Sequence, residues 1–363
     1  MPHLKLRDRD SIVTKEGLIF RVFGYSHPAN AYICDAEYAS ADIFKSADPR
    51  APRDGAGKSS VFYKFYDDEG WKFIHQNYPQ YTIQHEMLGV KVLGVNHTDI
   101  AKTRQPPERL LELADMEPTD KLHAATLQVL TVALERTGLS VENFGVFGSM
   151  LHGFHHPDYS DIDLLIYGVE QNAEMREALE ALYAEKDSGF SNEFDTDAAI
   201  AGKKWRFKNF SQKEFLWHQK RKFIYGLYDN KANGRIIKAE FEPVKDWSEI
   251  VSEYNPQTRI VRKDWVRIKA RVVSDVDAPF IPSVYGIEPL EVLSGPRTAL
   301  EAVRVISYME EFRQQAQKDE TIIVEGSLEE VTSPKGSFHQ IALTYCPRYY
   351  EQTLKIANLQ CQM

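Results

Sequence analysis

Two aspartates separated by one apolar residue are the part of the sequence best suited to chemistry. Asp161, Ile162 and Asp163 open an apolar run that extends to Tyr167. On a β-strand alternate side chains point to the same face, so both carboxylates share one face while Ile162 points into the core. Two carboxylates about 6 Å apart repel each other by roughly 3 kcal/mol at an effective dielectric of about 20. Because Mg²⁺ prefers a few carboxylates together with phosphate oxygens, the pair predicts a magnesium site.

A glycine and a serine lie upstream of the aspartates, at a predicted junction between a strand and a helix. Gly148 and Ser149 follow Phe147, and eleven residues separate them from Asp161. Glycine allows a phosphate to approach the backbone, a serine hydroxyl donates a hydrogen bond, and a helix N-terminus offers free N–H groups. Gly148 and Ser149 are therefore candidate phosphate-binding residues.

The order of these residues resembles the motif of the nucleotidyltransferase superfamily, which includes DNA polymerase β, poly(A) polymerases and CCA-adding enzymes. That motif has an apolar residue, Gly, then Gly or Ser, a spacer of similar length, and Asp-apolar-Asp/Glu-apolar. The resemblance covers roughly residues 118–245. It implies that Asp161 and Asp163 hold two Mg²⁺ ions, with Mn²⁺ as the alternative. It also implies that Gly148 and Ser149 bind the β and γ phosphates of an NTP.

The superfamily usually has a third carboxylate on a later strand, and residues 236–244 contain the best match. Archaeal CCA-adding enzymes, as a class, show Asp followed three residues later by Pro in this strand. That spacing selects Glu240, because Pro243 follows it three residues later. Glu242 shares a strand face with Glu240 and is the alternative. By resemblance, Glu240 joins the two aspartates as a catalytic and metal-binding residue and takes the proton of the acceptor.

Residues 202–226 hold eight Lys and Arg residues against one Glu, with seven aromatic residues interleaved. In a second stripe, residues 265–272, three cations share one strand face. Cations neutralise phosphates and aromatic rings stack on bases, so both segments are candidate contacts for a triphosphate and an RNA acceptor. The other interpretation is a solvated basic face in front of a buried aromatic core. The predicted nucleic-acid-binding residues are Lys203, Lys204, Trp205, Arg206, Lys208, Lys220, Arg221, Lys222, Arg267, Lys269 and Arg271.

The elements around the motif follow an order that positions it. Apolar residues at helical spacing predict a helix over residues 120–137, with Thr119 as the N-cap and Gly138 in the C-terminal αL position. Strands are predicted at residues 144–147, 162–167 and 236–244, and a helix at residues 171–186. The predicted fold class is α+β, with a small mixed sheet in a central nucleotidyltransferase domain.

Strand-rich regions are predicted on both sides of this domain. Residues 61–74 favour a hairpin, because an acidic turn with Gly70 separates two aromatic runs. Near the C-terminus the pattern favours a helix at residues 297–315, followed by a hairpin between residues 321 and 345. The predicted domains are a strand-rich N-terminal domain at residues 1–105, the catalytic domain at residues 106–250 and an α+β domain at residues 251–363.

The composition excludes several classes of protein. Hydrophobic residues make up 43% and charged residues 27% of the 363 residues, which is typical of a globular protein. Three cysteines are too few for a disulfide scaffold, and no apolar run reaches the roughly 18 residues of a membrane helix. The N-terminal residues lack the apolar segment of a secretory signal, so the cytoplasm is the expected location. A formal charge of −9 argues weakly against a protein that coats nucleic acid.

Together these features predict an enzyme, a Mg²⁺-dependent nucleotidyltransferase. It would move an NMP from an NTP such as ATP to an acceptor hydroxyl and release pyrophosphate. RNA is the favoured acceptor because of the basic and aromatic segment. Two alternatives stay open: an adenylyltransferase that acts on a protein or small molecule, and a non-catalytic RNA-binding protein with a degenerate nucleotidyltransferase domain.

Overall fold

The computed structural model describes residues 5–54, 61–202, 204–232 and 234–358. The chain divides into two compact units, each assembled from separate stretches. The first unit comprises Met1–His85, Gly89–Ser191 and Gly226–Tyr254, and the second comprises Glu86–Leu88, Asn192–Tyr225 and Asn255–Met363. The first unit therefore combines the N-terminal region with most of the predicted catalytic region. The division at residues 105 and 250 stays a prediction.

The N-terminal residues of the first unit form an antiparallel sheet. Its strands are β1 (Ser11–Val13), β2 (Leu18–Val22), β3 (Ala31–Ser40), β4 (Pro52–Arg53), β5 (Phe62–Lys64), β6 (Thr82–His85), β7 (Val90–Asn96) and β8 (Lys102–Arg104). The main path runs β4-β5-β3-β2-β1-β8, and β7 pairs with β3 and β6. Leu18, Phe20 and Val22 alternate into the core of this region. The N-terminal region is thus strand-rich, as its pattern indicates.

A helix, α1 (Glu69–Asn77), replaces the second strand of the hairpin predicted over residues 61–74. Gly70 lies in the first turn of α1, and a Cβ added there would lie 3.0 Å from the Ala36 Cβ. The glycine therefore permits close packing of α1 on β3. The hairpin prediction is wrong, because Gly70 does not form a turn between two strands. It allows α1 to pack closely on β3, which is distant in the sequence.

Helices and a five-stranded mixed sheet form the rest of the first unit. The helices are α2 (Pro106–Ala114), α3 (Lys121–Thr137), α4 (Gly148–His152) and α5 (Val169–Ala184), and the strands are β9 (Phe144–Val146), β10 (Ile162–Tyr167), β11 (Phe190–Asn192), β12 (Tyr225–Asn230) and β13 (Arg235–Val244). The sheet order is β11-β12-β13-β10-β9, with β10 antiparallel to β9 and parallel to β13. The predicted small mixed sheet is confirmed.

The helix α3 is capped by its neighbouring residues at both ends. Asp120 is the N-cap, and its carboxylate accepts hydrogen bonds from the N–H groups of Leu122 and His123. Gly138 takes a φ of 70° and ends the helix, as the sequence predicts. The prediction of Thr119 as the N-cap is wrong, because the Asp120 side chain reaches the free N–H groups of the first turn.

The second unit contains one α-helix among its described residues, α6 (Gln212–Lys220), and six strands. The strands are β14 (Arg259–Asp277), β15 (Ser283–Ser294), β16 (Ala302–Ser307), β17 (Thr321–Ser333), β18 (Gly336–Leu343) and β19 (Thr353–Ile356). None of the helices in the described parts of the chain is both long and apolar enough to cross a membrane.

Five of these strands close into a barrel. The order is β14-β15-β16-β18-β17, and the long strand β14 pairs with both β15 and β17, which completes the circle. The pairing of β16 with β18 is parallel, and the other pairings around the barrel are antiparallel. This connectivity is that of the five-stranded Greek-key barrel known as the OB fold. The sixth strand, β19, pairs with Ile322–Glu325 of β17, and its residues Leu354 and Ile356 join the core of the barrel.

The prediction of a helix over residues 297–315 is wrong. The strand β16 occupies its centre, between short 3₁₀ helices at Arg297–Glu301 and Glu310–Phe312. Val303, Val305 and Ile306 are β-branched, and such side chains favour a strand. The hairpin predicted between residues 321 and 345 is confirmed as β17 and β18.

Candidate active site

Asp163 and Glu240 occupy paired positions on neighbouring parallel strands. In the register of β10 and β13, Asp163 lies beside Glu240 and Leu165 lies beside Glu242. Adjacent strands are about 4.8 Å apart, so paired side chains project over one shared space. Asp161 directly precedes β10, and its charge acts on the Asp163 carboxyl. The structure thus brings together the three carboxylates that the sequence selects.

Gly148 lies directly against the Asp163 carboxylate. Its φ is 60°, in the left-handed region, and a Cβ added there would collide with Asp163 Oδ2. The Phe147 N–H donates to the Asp163 carbonyl oxygen at 2.8 Å, which holds the start of α4 against β10. Ser149 is buried, with 7% of its surface exposed. Gly148 therefore permits close approach of a carboxylate, and phosphate binding by Gly148 and Ser149 stays a prediction.

Desolvation acts on both aspartates, and charge repulsion adds to it at Asp163. Loss of water, followed by the charges of Glu240 and Asp161, raises the pKa of Asp163 well above its usual range. Loss of water also raises the pKa of Asp161, while four basic side chains act in the opposite direction. These are Lys238, Arg235, Lys64 and Arg53. The site therefore gathers repelling carboxylates that need positive charge to stay ionised.

Lys238 supplies positive charge at a position that sequence reasoning missed. Its Nζ lies 2.5 Å from Glu240 Oε1. The two residues are two positions apart on β13, so their side chains share a face. The strand alternation around Ala239 was the sequence pattern that could have predicted this pair. The Lys238 ammonium therefore neutralises one of the three carboxylates.

The donor atoms of the site suit a hard divalent cation. Asp161, Asp163 and Glu240 offer carboxylate oxygens, which Mg²⁺ prefers as ligands. Within the described residues, no three His, Cys, Asp or Glu side chains are already converged into a metal site. The ligand types for Mg²⁺ are thus present at neighbouring backbone positions, with Lys238 against one of them.

Glu242, the alternative third carboxylate, pairs with an arginine. Arg9 Nη2 lies 2.7 Å from Glu242 Oε2, and the Arg9 side chain is fully buried. A buried guanidinium needs an opposite charge, since the loss of one partner leaves a buried charge uncompensated. Glu242 therefore balances Arg9, and Glu240 is the carboxylate beside Asp163.

Arg235 holds the loop that leads to Asp161. Its guanidinium donates to the carbonyl oxygens of Pro157 at 3.1 Å and Ser160 at 2.7 Å. In the same loop, His155 Nε2 lies 2.8 Å from Asp120 Oδ2. The loop between α4 and β10 is thus tied to β13 and to the N-cap of α3. These contacts fix the position of Asp161 just before β10.

A family model described as "Nucleotidyltransferase domain" matches residues 128–226. The centre of the chain is a nucleotidyltransferase domain. The matched stretch includes Gly148, Ser149, Asp161 and Asp163, whereas Glu240 lies beyond it. The family match thus supports the two-aspartate motif, and the case for Glu240 rests on its register with Asp163.

An uncharacterized protein of Methanocaldococcus jannaschii is similar to this chain, with 27% identity over 358 residues. The similarity covers 97% of this chain and 99% of that protein. It therefore extends beyond the nucleotidyltransferase domain into both flanking regions. No solved structure matches the chain at a significant level.

The end of the nucleotidyltransferase match overlaps the basic and aromatic segment, most of which belongs to the second unit. Phe210 is buried, and Trp205, Phe207, Phe215 and Trp217 pack against the same hydrophobic core. The Trp205 indole N–H donates to the Phe210 carbonyl oxygen at 2.7 Å. The interpretation as a buried aromatic core fits these five side chains.

Many cations of this segment have partners within the second unit. Lys208 pairs with Glu351, Lys220 with Asp195, Arg221 with Glu320, and Arg206 donates to the Tyr350 hydroxyl. Lys222 is fully buried, and its Nζ donates to the Glu311 carbonyl oxygen at 2.7 Å. The prediction that Lys222 contacts RNA is wrong, because burial removes its ammonium from the surface. Lys204 is exposed, and Lys203 lies outside the described residues.

The second predicted stripe lies on the outer face of β14. Val266, Ile268 and Ala270 point into the barrel core, and Arg267, Lys269 and Arg271 alternate with them. Acidic residues of the neighbouring strands and loops oppose all three cations. Arg271 pairs with Glu288 at 2.6 Å and Asp319 at 3.2 Å, Arg267 lies 3.9 Å from Glu325, and Lys269 lies opposite Glu291. The face is thus less positive than its basic residues alone suggest.

A pocket of about 450 Å³ in the second unit brings together residues of both segments. Trp205, Phe207 and Phe210 contribute aromatic surface. Lys208, Arg267 and Lys355 contribute positive charge, and Glu214, which pairs with Lys355 at 2.8 Å, contributes a negative charge. Three of the predicted RNA-binding residues, Trp205, Lys208 and Arg267, therefore meet around one depression.

Proposed function

We propose that this protein is a Mg²⁺-dependent nucleotidyltransferase that moves an NMP from an NTP to an acceptor hydroxyl and releases pyrophosphate. The observation that carries the proposal is the pairing of Asp163 with Glu240, with Asp161 two residues away and Gly148 against Asp163. Repelling carboxylates do not stabilise a fold by themselves. Their presence in a nucleotidyltransferase domain is explained if they bind Mg²⁺ together with the phosphates of an NTP.

The proposed mechanism assigns each side chain a role. When bound, two Mg²⁺ ions would reduce the negative charge of the triphosphate and activate the acceptor oxygen. Asp161 and Asp163 would hold these ions, and Glu240 would complete the ligands on the acceptor side. The acceptor oxygen bonds to the α-phosphorus as the bond to the β-phosphate oxygen breaks, and the Glu240 carboxylate takes the acceptor proton. Before the acceptor binds, that carboxylate pairs with the Lys238 ammonium.

RNA is the acceptor that we propose first, with ATP as the first NTP. The support is the OB-type connectivity of the second unit, because barrels of this fold bind oligonucleotides. The pocket that joins Trp205, Lys208 and Arg267 offers aromatic surface and positive charge for a base and a phosphate. The ion pairs around β14 reduce the free positive charge, so the RNA affinity is expected to be modest and its salt dependence shallow, because few phosphates are neutralised.

Labelling with α-phosphate-labelled ATP, CTP, GTP and UTP tests the proposal. Each NTP is incubated with the protein, Mg²⁺ or Mn²⁺, and total RNA, and the label is sought separately in RNA, protein and small molecules. Label in RNA supports the proposal in full. Label in protein or in a small molecule supports nucleotidyl transfer and replaces RNA as the acceptor. Affinity for RNA without any transfer would indicate the non-catalytic alternative.

Substitutions of aspartate make the test specific to the site. Asp161→Asn and Asp163→Asn keep the side-chain shape, remove one charge each, and should abolish transfer without loss of the fold. Asp197→Asn is the matched control, because Asp197 is exposed and belongs to a second Asp-x-Asp sequence, with Asp195. Full activity in Asp161→Asn or Asp163→Asn would overturn the role of these carboxylates.

A further inference from the structure

Strands of the N-terminal sheet lie against the start of the nucleotidyltransferase motif. Tyr38 of β3 contacts His152 of α4, with ring centroids 5.6 Å apart, and contacts Phe154 at 4.9 Å. Phe62 of β5 stacks on Phe154 at 5.1 Å. The strands β3 and β5 therefore cover the end of the helix that begins at Gly148.

Lys64 and Arg53 share the face of the sheet that makes these contacts. In the antiparallel register Lys64 lies opposite Tyr38, and Arg53 lies opposite Phe62. Directly paired residues on neighbouring strands project to the same side of a sheet. Both positions therefore project toward the side on which Tyr38 and Phe62 contact α4 and the loop after it, and Nη1 of Arg53 also donates to the carbonyl oxygens of Arg50 and Pro52.

The charges of these side chains reach the candidate active site. Lys64 acts on Asp161 and Asp163, and Arg53 acts on Asp161 and on the buried Tyr38. Lys64 is half-buried, so its charge is screened less by salt than that of a fully exposed lysine. Positive charge thus approaches the aspartates from an element outside the nucleotidyltransferase match.

We propose that Lys64, with Arg53 beside it, binds the triphosphate of the NTP and stabilises the pyrophosphate as it leaves. A site with three carboxylates repels an incoming triphosphate unless positive charge faces the phosphates. An ammonium on a flexible stem binds phosphate as a point charge, and a guanidinium adds a planar pair of donors. This inference rests on the proposed function, and it makes the N-terminal sheet one wall of the nucleotide site.

Binding of a non-reactive nucleotide tests the inference. The affinities of α,β-methylene-ATP and of AMP are measured by calorimetry in the presence of Mg²⁺, or with the analogues of whichever NTP the labelling selects. Lys64→Met keeps the apolar stem and removes the charge. It should weaken binding of the triphosphate about tenfold, the effect of removing one charge-assisted hydrogen bond, and leave AMP affinity unchanged. Lys64→Arg should restore most of the affinity, and Arg53→Met should weaken triphosphate binding in the same direction.

Lys72→Met is the matched control, because Lys72 is exposed on α1 and pairs with Asp68. It should bind both nucleotides as the wild type does. Melting curves establish that each variant is folded. If Lys64→Met does not fold, the single variants Lys64→Gln and Arg53→Met provide the test. A folded Lys64 variant that binds the triphosphate as the wild type does would overturn this inference and leave the proposed function standing. Equal losses of affinity for AMP and for the triphosphate would have the same consequence. A wild type that neither binds nor turns over any NTP would overturn the proposed function itself.

Discussion

Glu240 and Glu242 lie two residues apart on one face of β13, yet they have different neighbours. Glu240 lies beside Asp163 and pairs with Lys238, whereas Glu242 lies beside Leu165 and pairs with the buried Arg9. One strand face therefore carries a carboxylate in a candidate catalytic position and another that balances a buried charge.

The two glutamates should respond differently to the same substitution. Glu240→Gln should lower turnover about a hundredfold or more with little change in NTP affinity, because its proposed role is at the acceptor. Glu242→Gln should lower the free energy of unfolding by about 3 kcal/mol, because it removes the nearer carboxylate partner of the buried Arg9 guanidinium and leaves Asp8, at 3.7 Å, to balance that charge. Single-turnover kinetics and denaturant unfolding of both variants separate these effects. Reversed results would make Glu242 the third carboxylate.

The site residues that could be predicted from the sequence are those marked by a pattern of neighbouring residues. Asp161 precedes, and Asp163 lies on, a strand that the apolar run to Tyr167 predicts. The pairing of Glu240 with Asp163 agrees with the spacing to Pro243. Lys64 had no local signal, since its relation to the aspartates depends on how the N-terminal sheet packs on α4.

The errors in secondary structure have the same origin. Gly70 resembles a turn residue, but its lack of a side chain allows α1 to pack on Ala36. Ala299, Leu300 and Ala302 favour a helix, but β16 completes the barrel between β15 and β18. In both cases a contact between distant parts of the chain outweighs the local pattern.

Gly148→Ala should destabilise the nucleotidyltransferase domain and remove the rise in Tm that Mg²⁺ and NTP produce. Its φ of 60° disfavours a side chain, and the added Cβ would collide with Asp163 Oδ2. Gly138→Ala is the control, because Gly138 has a φ of 70° with open space around it. That variant should lose only about 1 kcal/mol through backbone strain and keep the nucleotide response. An unchanged response in Gly148→Ala would place the nucleotide elsewhere.

His152 should make the stability of the first unit sensitive to acid. Burial, with a smaller effect from Arg104, lowers the pKa of His152 to about 3. Neither ring nitrogen has a hydrogen-bond partner among the described residues. The folded state therefore holds the ring neutral, whereas the unfolded chain binds a proton near pH 6.5. Stability is fully present above that value and is lost as the pH falls toward 3.

His152→Phe should reduce this loss, because phenylalanine keeps the ring contacts with Tyr38 and Phe154 and cannot bind a proton. At pH 7.5 the variant should be at least as stable as the wild type, since it removes unpaired buried nitrogens. Urea unfolding at about pH 4.5 and 7.5 measures both effects. The control is His75→Phe, an exposed position that stacks on Trp71. An unchanged pH dependence in His152→Phe would contradict the assignment.

Neutralising the exposed cations of the basic segment tests the RNA acceptor. The double variant Lys204→Gln/Arg206→Gln should weaken binding to a similar degree for RNAs of every sequence. The slope of log affinity against log salt should fall by about 0.7 for each single-strand phosphate that the variant no longer neutralises. Lys222→Gln is the contrasting variant, because its buried ammonium should affect Tm and not the salt slope. Filter binding across a salt series measures the slopes.

Trp205→Ala separates packing from stacking on a base. Trp205 packs against the core of the second unit and donates to the Phe210 carbonyl oxygen, so its removal should lower Tm in the absence of RNA. If its exposed part also stacks on a base, RNA binding should weaken by about 1–3 kcal/mol at a temperature where the variant stays folded. A lower Tm with unchanged RNA affinity would assign Trp205 to the core alone. No measurable RNA affinity in the wild type at moderate salt would instead direct the search for the acceptor to proteins and small molecules.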